Sequence, residues 1–504
     1  MADRKLHVVF VHGWSVTHTN TYGGLPERLV AEAKGNGLSL SVRDVWLGKY
    51  VSFRDEVRLA DIAQAFEAAV QRDLGDLLEA RERFVAITHS TGGPVLREWW
   101  QRFHPKGAGC PMSHCVMLAP ANFGSALAQL GKARVGRLKS WFAGVEPGQG
   151  VLDWLELGSP EAWALNEAWI AGKAGDPDPK GVLPFVLTGQ TIDRKLYDNL
   201  NSYTGELGSD GVVRVASANL NATHLELVQE PWSAGAKPSK ARREQGEALR
   251  LSGAIRRAPA TAFRLIPGAA HSGKDKGILR AVSRTAGSKK GEAVVGAILR
   301  ALAVRTRKQY DALREAFAHE TRAIHRAERV EVEDRFLLND RIFVHDRNTQ
   351  VMFRVHDDEG HAITDFDLLL TGHEDDPNQL PAGFFEDRQQ NSRHRATLTY
   401  FINHSLMTGS DAVVHDSRIV RPERLGIDRL GLTIRPRPTD GFVHFAPAYF
   451  TATPKLAKAV LRPDETVMID IVLCRIVRTG VMRLSRGTKR GSFKGTDTGP
   501  VIEG

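Results

Sequence analysis

Cysteine is scarce in this 504-residue chain: Cys110, Cys115 and Cys474 are all there is. So odd and sparse a set argues against a disulfide framework, and no Cys/His cluster has zinc-finger spacing. Long hydrophobic runs are missing as well. No apolar stretch approaches the roughly 20 residues that span a bilayer. The N-terminus, Met-Ala-Asp-Arg-Lys-Leu-His-Val-Val-Phe, runs straight into a strand and lacks the zones of a signal peptide. The expectation is a protein made in the cytoplasm, with export by a signal-independent route left open. Tryptophan is missing from the second half, since all nine lie between Trp14 and Trp232. The two halves therefore fill space differently, and two domains are the default at this length.

Charge is present but uneven. The net charge is +9, yet residues 232–308 alone carry 18 Lys or Arg against 4 Asp or Glu. Such a stretch suits an anionic membrane surface or is simply a solvated face. No nucleic-acid partner is expected.

The first half alternates strand-like and helix-like patterns. Leu6–Val11, Ser39–Val45, Phe84–Thr88, Cys115–Ala119, Phe185–Thr188 and Phe263–Ile266 read as strands. Asp61–Leu78 and Pro94–Phe103 read as helices. This alternation implies an α/β fold with a mostly parallel sheet covered on both faces. Residues 287–327 read as helix with a break or two. Beyond them, Arg341–Val344, Gln350–Val355, Ala396–Ile402, Leu430–Ile434, Phe442–Phe445 and Val467–Val477 look like strands without regular helices, a β-sandwich-like pattern. The expected division is a catalytic domain over 1–304 with a cap insertion at about 125–182, a helical linker over 305–330, a β-rich accessory domain over 331–485, and a disordered tail from 486 to 504.

Chemistry concentrates in Phe84-Val-Ala-Ile-Thr-His-Ser-Thr-Gly-Gly-Pro94. A buried strand runs into Thr88-His89-Ser90-Thr91-Gly92 and then a helix. A hydrolase needs its serine on such a turn, because the turn lifts the hydroxyl clear of the backbone above a helix N-terminus. Gly92 supplies the small residue behind Ser90, while Thr88 stands where a glycine is usual. The turn His12-Gly13-Trp14 after the first strand can aim the Trp14 N–H at the same spot as the Thr91 N–H, forming an oxyanion hole. His12 itself is expected to be structural.

These segments resemble α/β-hydrolase lipases, in particular the bacterial lipase and GPI inositol-deacylase-like branch. The resembling pieces are Val8-Val-Phe-Val-His-Gly-Trp14, Thr88-His-Ser-Thr-Gly-Gly93, Leu118-Ala-Pro-Ala-Asn-Phe-Gly-Ser125 and Ser209-Asp-Gly-Val-Val213 with Ser217-Ala218 after it. They cover roughly residues 5–285. The resemblance implies hydrolysis of carboxylic esters, often of lipids, through an acyl-enzyme. Some such lipases bind calcium through an aspartate two residues after the histidine. Gly273 stands there, so this calcium site is not supported; no metal and no cofactor is expected.

The serine needs a base and the base an orienting carboxylate, in the chain order Ser, acid, His. Asp210, in an Asp-Gly turn, is preferred as the acid, with Asp193 as the alternative. His271 follows a strand and a small-residue loop and is preferred as the base, with His224 as the alternative. The insertion Leu127–Trp169 is rich in tryptophan, and its first part carries Lys132, Arg134, Arg137 and Lys139, which suits a lid over an interfacial substrate. The expected function is a lipase or phospholipase. A soluble-substrate esterase or thioesterase, a lipid-degrading antibacterial effector and a non-catalytic binding protein are the alternatives. The β-rich domain is expected to dock on a membrane or a protein partner.

Overall fold

Among the described residues, eight strands precede residue 266: β1 (Arg4–His12), β2 (Leu38–Trp46), β3 (Phe84–His89), β4 (Met112–Leu118), β5 (Leu183–Thr188), β6 (Ala222–Gln229), β7 (Glu247–Arg257) and β8 (Ala262–Leu265). They belong to a computed structural model that describes residues 3–12, 21–50, 54–129, 148–192, 208–230, 246–333 and 341–477. Trp14, Asp193, the basic part of the insertion and the tail lie outside the described residues.

Six of these strands form one sheet in the order β2-β1-β3-β4-β5-β8, and every pair in it is parallel. A parallel sheet must be covered on both faces, so its strands read as continuous apolar runs. In β3 the residues Phe84, Val85, Ala86 and Ile87 are all fully buried. One face packs against helices Leu59–Asp73 and Gly92–Phe103 through Phe66, Val70, Trp99 and Trp100. The other packs against helices Leu25–Ala33, Glu292–Ala303 and Arg307–Ala327 through Leu29, Ile298, Tyr310 and Phe317.

The helix Arg307–Ala327 is no linker. Thr306 and Gln309 cap its first turn reciprocally. The Tyr310 hydroxyl donates to the Pro184 carbonyl at 2.7 Å and accepts from the Ala262 N–H at 3.0 Å, tying the helix to β5 and β8.

The second sheet has nine strands, and it departs from the expected division. Its order is Phe366–Thr371, Leu430–Pro436, Ala448–Ala452, β7, β6, Thr466–Leu473, Asn348–Asp357, Thr397–Asn403 and Phe385–Gln390. Two of its central strands, β6 and β7, come from before residue 304. β6 lies parallel to Thr466–Leu473 along seven residue pairs, Thr466–Ala222 to Val472–Val228. The sheet curls over its own core, in the manner of a sandwich. Leu368, Leu432 and Ile434 from one end share a core with Leu227 from the centre and Val351 and Phe353 from beyond it. The Tyr400 hydroxyl spans it, donating to the Leu368 carbonyl at 2.7 Å.

The described part of the insertion, helices Gln149–Leu155 and Pro160–Ile170, lies between the sheets. Trp154, Trp163 and Trp169 are buried in the hydrolase core instead of forming an exposed aromatic face. The turn between the helices meets the second sheet: Asn391 donates to the Leu157 carbonyl at 3.1 Å, and the Ser392 hydroxyl to Glu156 at 2.9 Å.

Candidate active site

Ser90 follows β3 on a sharp turn. Its φ is +54°, in the left-handed region that a non-glycine residue occupies at a cost. Surrounding bonds hold it there: the Ser90 N–H donates to the Leu118 carbonyl at 3.0 Å, and the Gly93 N–H to the Ser90 carbonyl at 3.1 Å. The helix Gly92–Phe103 starts directly behind. Gly92 explains how Thr88 fits where glycine is usual. A Cβ at residue 92 would lie 1.9 Å from the Thr88 Oγ1. The space a second side chain would need is already taken by Thr88.

Asp210 and His271 converge on this turn from distant parts of the chain. The His271 Nε2 lies 3.1 Å from the Ser90 Oγ, and its Nδ1 lies 2.9 Å from the Asp210 Oδ2. An ionised carboxylate only accepts, so Nδ1 carries the proton and Nε2 is left as the acceptor facing the serine. Asp210 has no exposure to solvent. Its Oδ1 accepts from the Val212 N–H at 3.0 Å and the Val213 N–H at 2.8 Å. Gly211, with φ +96°, allows the loop to fold back in this way. The His271 N–H also donates to the Asp210 carbonyl at 2.9 Å, so backbone and side chain fix the same pair.

The Thr91 N–H lies in the first turn of the helix, where backbone donors are left over. Among the described residues no group accepts from it. His89 lies against His271. Its Nε2 donates to the His271 carbonyl at 3.2 Å, and the two rings stand 4.6 Å apart. Burial, and secondarily His271 itself, hold the His89 imidazole well below the usual histidine pKa, so it stays neutral.

Comparison with solved structures places the whole chain. It is similar to phospholipase PlaB from Legionella pneumophila at 40% identity and a TM-score of 0.82, over 97% of this chain and 98% of that one. A structure of that phospholipase in complex with thio-NAD matches at 39% identity and a TM-score of 0.79, over 98% of this chain and 99% of the other. This chain belongs to the PlaB phospholipase family. It is thus a serine hydrolase of carboxylic esters, built on an α/β-hydrolase sheet with an added β-rich domain. Neither a family model nor a curated protein sequence matches it.

The remaining candidates in this PlaB-family chain divide by location. His224 lies on β6 in the second sheet. Its Nδ1 accepts from Arg256 at 2.8 Å and its Nε2 donates to Asp470 at 2.8 Å. Asp470 in turn takes Arg354 at 2.6 Å. Glu167, His224 and Asp470 place potential metal-ligating atoms within 4.8 Å of one another. Two guanidinium groups already neutralise that set, and both His224 nitrogens are engaged, so the cluster is an ion-pair network built around the buried His224 and Asp470. His12 is buried against Trp46, with ring centroids 3.6 Å apart, and bonds Asp44 at 2.7 Å. Sequence reasoning passed over the structural partners that hold Asp210. Asn122 and Ser125 sit in a segment already noted for its likeness to lipases, and that likeness was the available signal.

Cys110 and Cys115 are free and buried, and burial pushes both thiols up to about 12. Neither is a poised nucleophile. No helix among the described residues is long and apolar enough to cross a membrane.

Proposed function

We propose that this chain is a phospholipase that cleaves acyl esters through Ser90, His271 and Asp210. The observation that carries the reading is the continuous relay from the buried Asp210 to the Ser90 hydroxyl, at 2.9 and 3.1 Å. In this reading His271 takes the Ser90 proton as the oxygen attacks the ester carbonyl, and Asp210 stabilises the imidazolium that forms. The Thr91 N–H, with the Trp14 N–H as second donor, holds the developing oxyanion. The imidazolium protonates the departing alcohol. Water, deprotonated by the same histidine, then releases the fatty acid from Ser90.

Phospholipid is favoured over a soluble ester by family membership and by the surface beside the base. Lys274, Lys276, Arg280, Arg284, Lys289 and Lys290 are all exposed within 19 residues after His271. Near an anionic leaflet each such charge contributes about 1 kcal/mol of attraction. The test is fluorophosphonate labelling of wild type and Ser90→Ala, with turnover of short-chain esters and of phosphatidylglycerol vesicles in parallel. Labelling that vanishes in Ser90→Ala, with vesicle hydrolysis that weakens as salt rises, supports the full reading. Labelling with short-ester turnover alone supports the soluble esterase, and no labelling of folded wild type rejects the relay.

A further inference from the structure

The segment that carries Asp210, residues 208–219, belongs to neither sheet. It is gripped from both. On the hydrolase side, the Ser125 hydroxyl donates to the Val212 carbonyl at 2.6 Å, Asn122 to the Ala218 carbonyl at 2.8 Å, and the Phe123 N–H to the Ser217 carbonyl at 2.9 Å. On the opposite side the contacts described come from the second sheet or the turn leading into it. The Ser217 hydroxyl donates to the Gln350 side-chain carbonyl, and the Thr466 hydroxyl to the Ala216 carbonyl at 2.9 Å. Asn219 donates to the Asp464 carbonyl at 2.7 Å. The Arg214 guanidinium stacks 3.5 Å from the Phe401 ring centroid and bonds Asp387 at 3.3 Å.

These contacts are dry: Ser217, Gln350 and Thr466 are all at most 1% exposed. Asp210 sits seven residues before Ser217 in a short loop closed by its own turn bonds, with the Val215 N–H donating to the Gly208 carbonyl at 2.9 Å. The far end of that loop is therefore one of the anchors that set where the carboxylate lies, alongside the bonds from His271 and Ser125. A misplacement on the order of 1 Å at a reacting group costs about 100-fold in rate.

Resting on the relay proposed above, we infer that the second sheet is the positioning element for the catalytic acid, with Gln350 and Thr466 as its positioning residues. Neither touches substrate or moves a proton. They hold residues 208–219 so that Asp210 meets His271. The β-rich domain is thereby part of the catalytic apparatus of its own chain.

The test uses the full-length enzyme with rates normalised to serines titrated by fluorophosphonate. Gln350→Met removes the acceptor and leaves the Ser217 hydroxyl buried without a partner, so it lowers both thermal stability and turnover. Adding Ser217→Ala removes the stranded hydroxyl and restores most of the melting temperature. Turnover per titrated serine in that double variant stays at least about 10-fold below wild type. The loss falls in kcat with KM unchanged, and the acid limb of the rate profile moves to lower pH, because an imidazolium without its carboxylate is less stable. Thr466→Val, close in shape, gives the same signature through the second contact. Leu432→Ala loosens the same sheet far from the loop, lowering the melting temperature while leaving rate per serine and pH profile as in wild type.

Wild-type kcat and pH profile in the folded double variant and in Thr466→Val overturn the inference. So does an equal loss in Leu432→Ala, which makes the effect one of general stability. If Asp210→Asn itself keeps full turnover, the relay reading fails instead. If Asp210→Asn is inactive while the Gln350 and Thr466 variants are unaffected, only the positioning role fails.

Discussion

Replacing Asp210 by asparagine isolates the role of one charge with almost no change of shape. The two oxygens of Asp210 do different work. Oδ1 accepts two backbone N–H groups, from Val212 and Val213, and Oδ2 faces the His271 Nδ1. An asparagine here keeps its carbonyl toward the two N–H donors, since the flipped rotamer would set an NH2 group against them. Its amide N–H then points at the His271 Nδ1, which must become the acceptor. The ring proton moves to Nε2, opposite the Ser90 Oγ, where no proton can now be taken up. A base in the wrong tautomer costs serine proteases about 10^4 in kcat, equivalent to about 5.4 kcal/mol of transition-state stabilisation. The assay is ester turnover per titrated serine, with melting temperature as the control for folding. Asp210→Asn should melt near wild type and turn over about 10^4-fold more slowly. Retention of more than a tenth of wild-type turnover, with Ser90→Ala inactive, would refute the reasoning and move the acid role to Asp193.

Other perturbations separate structure from chemistry. His224→Ala strips one member from the Arg256–His224–Asp470–Arg354 network; it should cost about 1–3 kcal/mol of stability, read by denaturant unfolding, and leave turnover per titrated serine unchanged. Gly92→Ala drives a Cβ to 1.9 Å from the Thr88 Oγ1; it should lower kcat and cost about 1–3 kcal/mol, and adding Thr88→Gly should restore both, as measured by kinetics and melting. Phe317→Ala empties a fully buried site on the helix Arg307–Ala327; a loss of about 3–5 kcal/mol is expected on unfolding, whereas a linker helix would lose far less. Burial pushes the His114 imidazole down to about 4. Its unfolded value is about 6.5, so the unfolded chain binds the extra proton first, and stability falls as pH drops from 6.5 toward 4; His114→Gln should flatten the slope of melting temperature over that window.

How much of this was legible in the sequence depended on how local each feature is. The Ser90 turn is written within eleven residues, as an apolar strand, a tight turn and a helix start, and the structure places those elements in that order. The Asp210 loop announces itself through its Asp-Gly turn. The His271 loop follows β8 directly. The second sheet was less legible, because parallel pairing leaves no mark on either strand. Nothing in Ala222–Gln229 says that its neighbour is Thr466–Leu473, about 240 residues later. Its apolar residues suit a hydrolase strand equally well, and so the expected boundary fell at 304. The insertion misled for a related reason. Trp154, Trp163 and Trp169 mark the insertion as rich in aromatic residues, but an amphipathic pattern reports only that one face is apolar. It does not say whether that face meets lipid or core, and here it meets core.

Thr88 shows how a departure from a motif can be resolved by a residue inside it. Small residues are wanted on both sides of the Ser90 turn because strand and helix converge there. The requirement belongs to the pair and not to each position. With no Cβ at residue 92, the space above Thr88 is free, and the threonine side chain fills it at full burial. A side chain at both positions would collide, and a glycine at both would leave a void beneath Ser90. The threonine therefore packs the elbow more tightly than a glycine would. Ser90 keeps its strained φ of +54° because that packing, together with the bonds to Leu118 and Gly93, leaves the turn little room to relax. The Thr88→Gly single variant follows from this: it should retain the fold, label more slowly with fluorophosphonate, and lose turnover in kcat with KM unchanged, while an unchanged kcat would mean that the bonds alone hold the nucleophile in place.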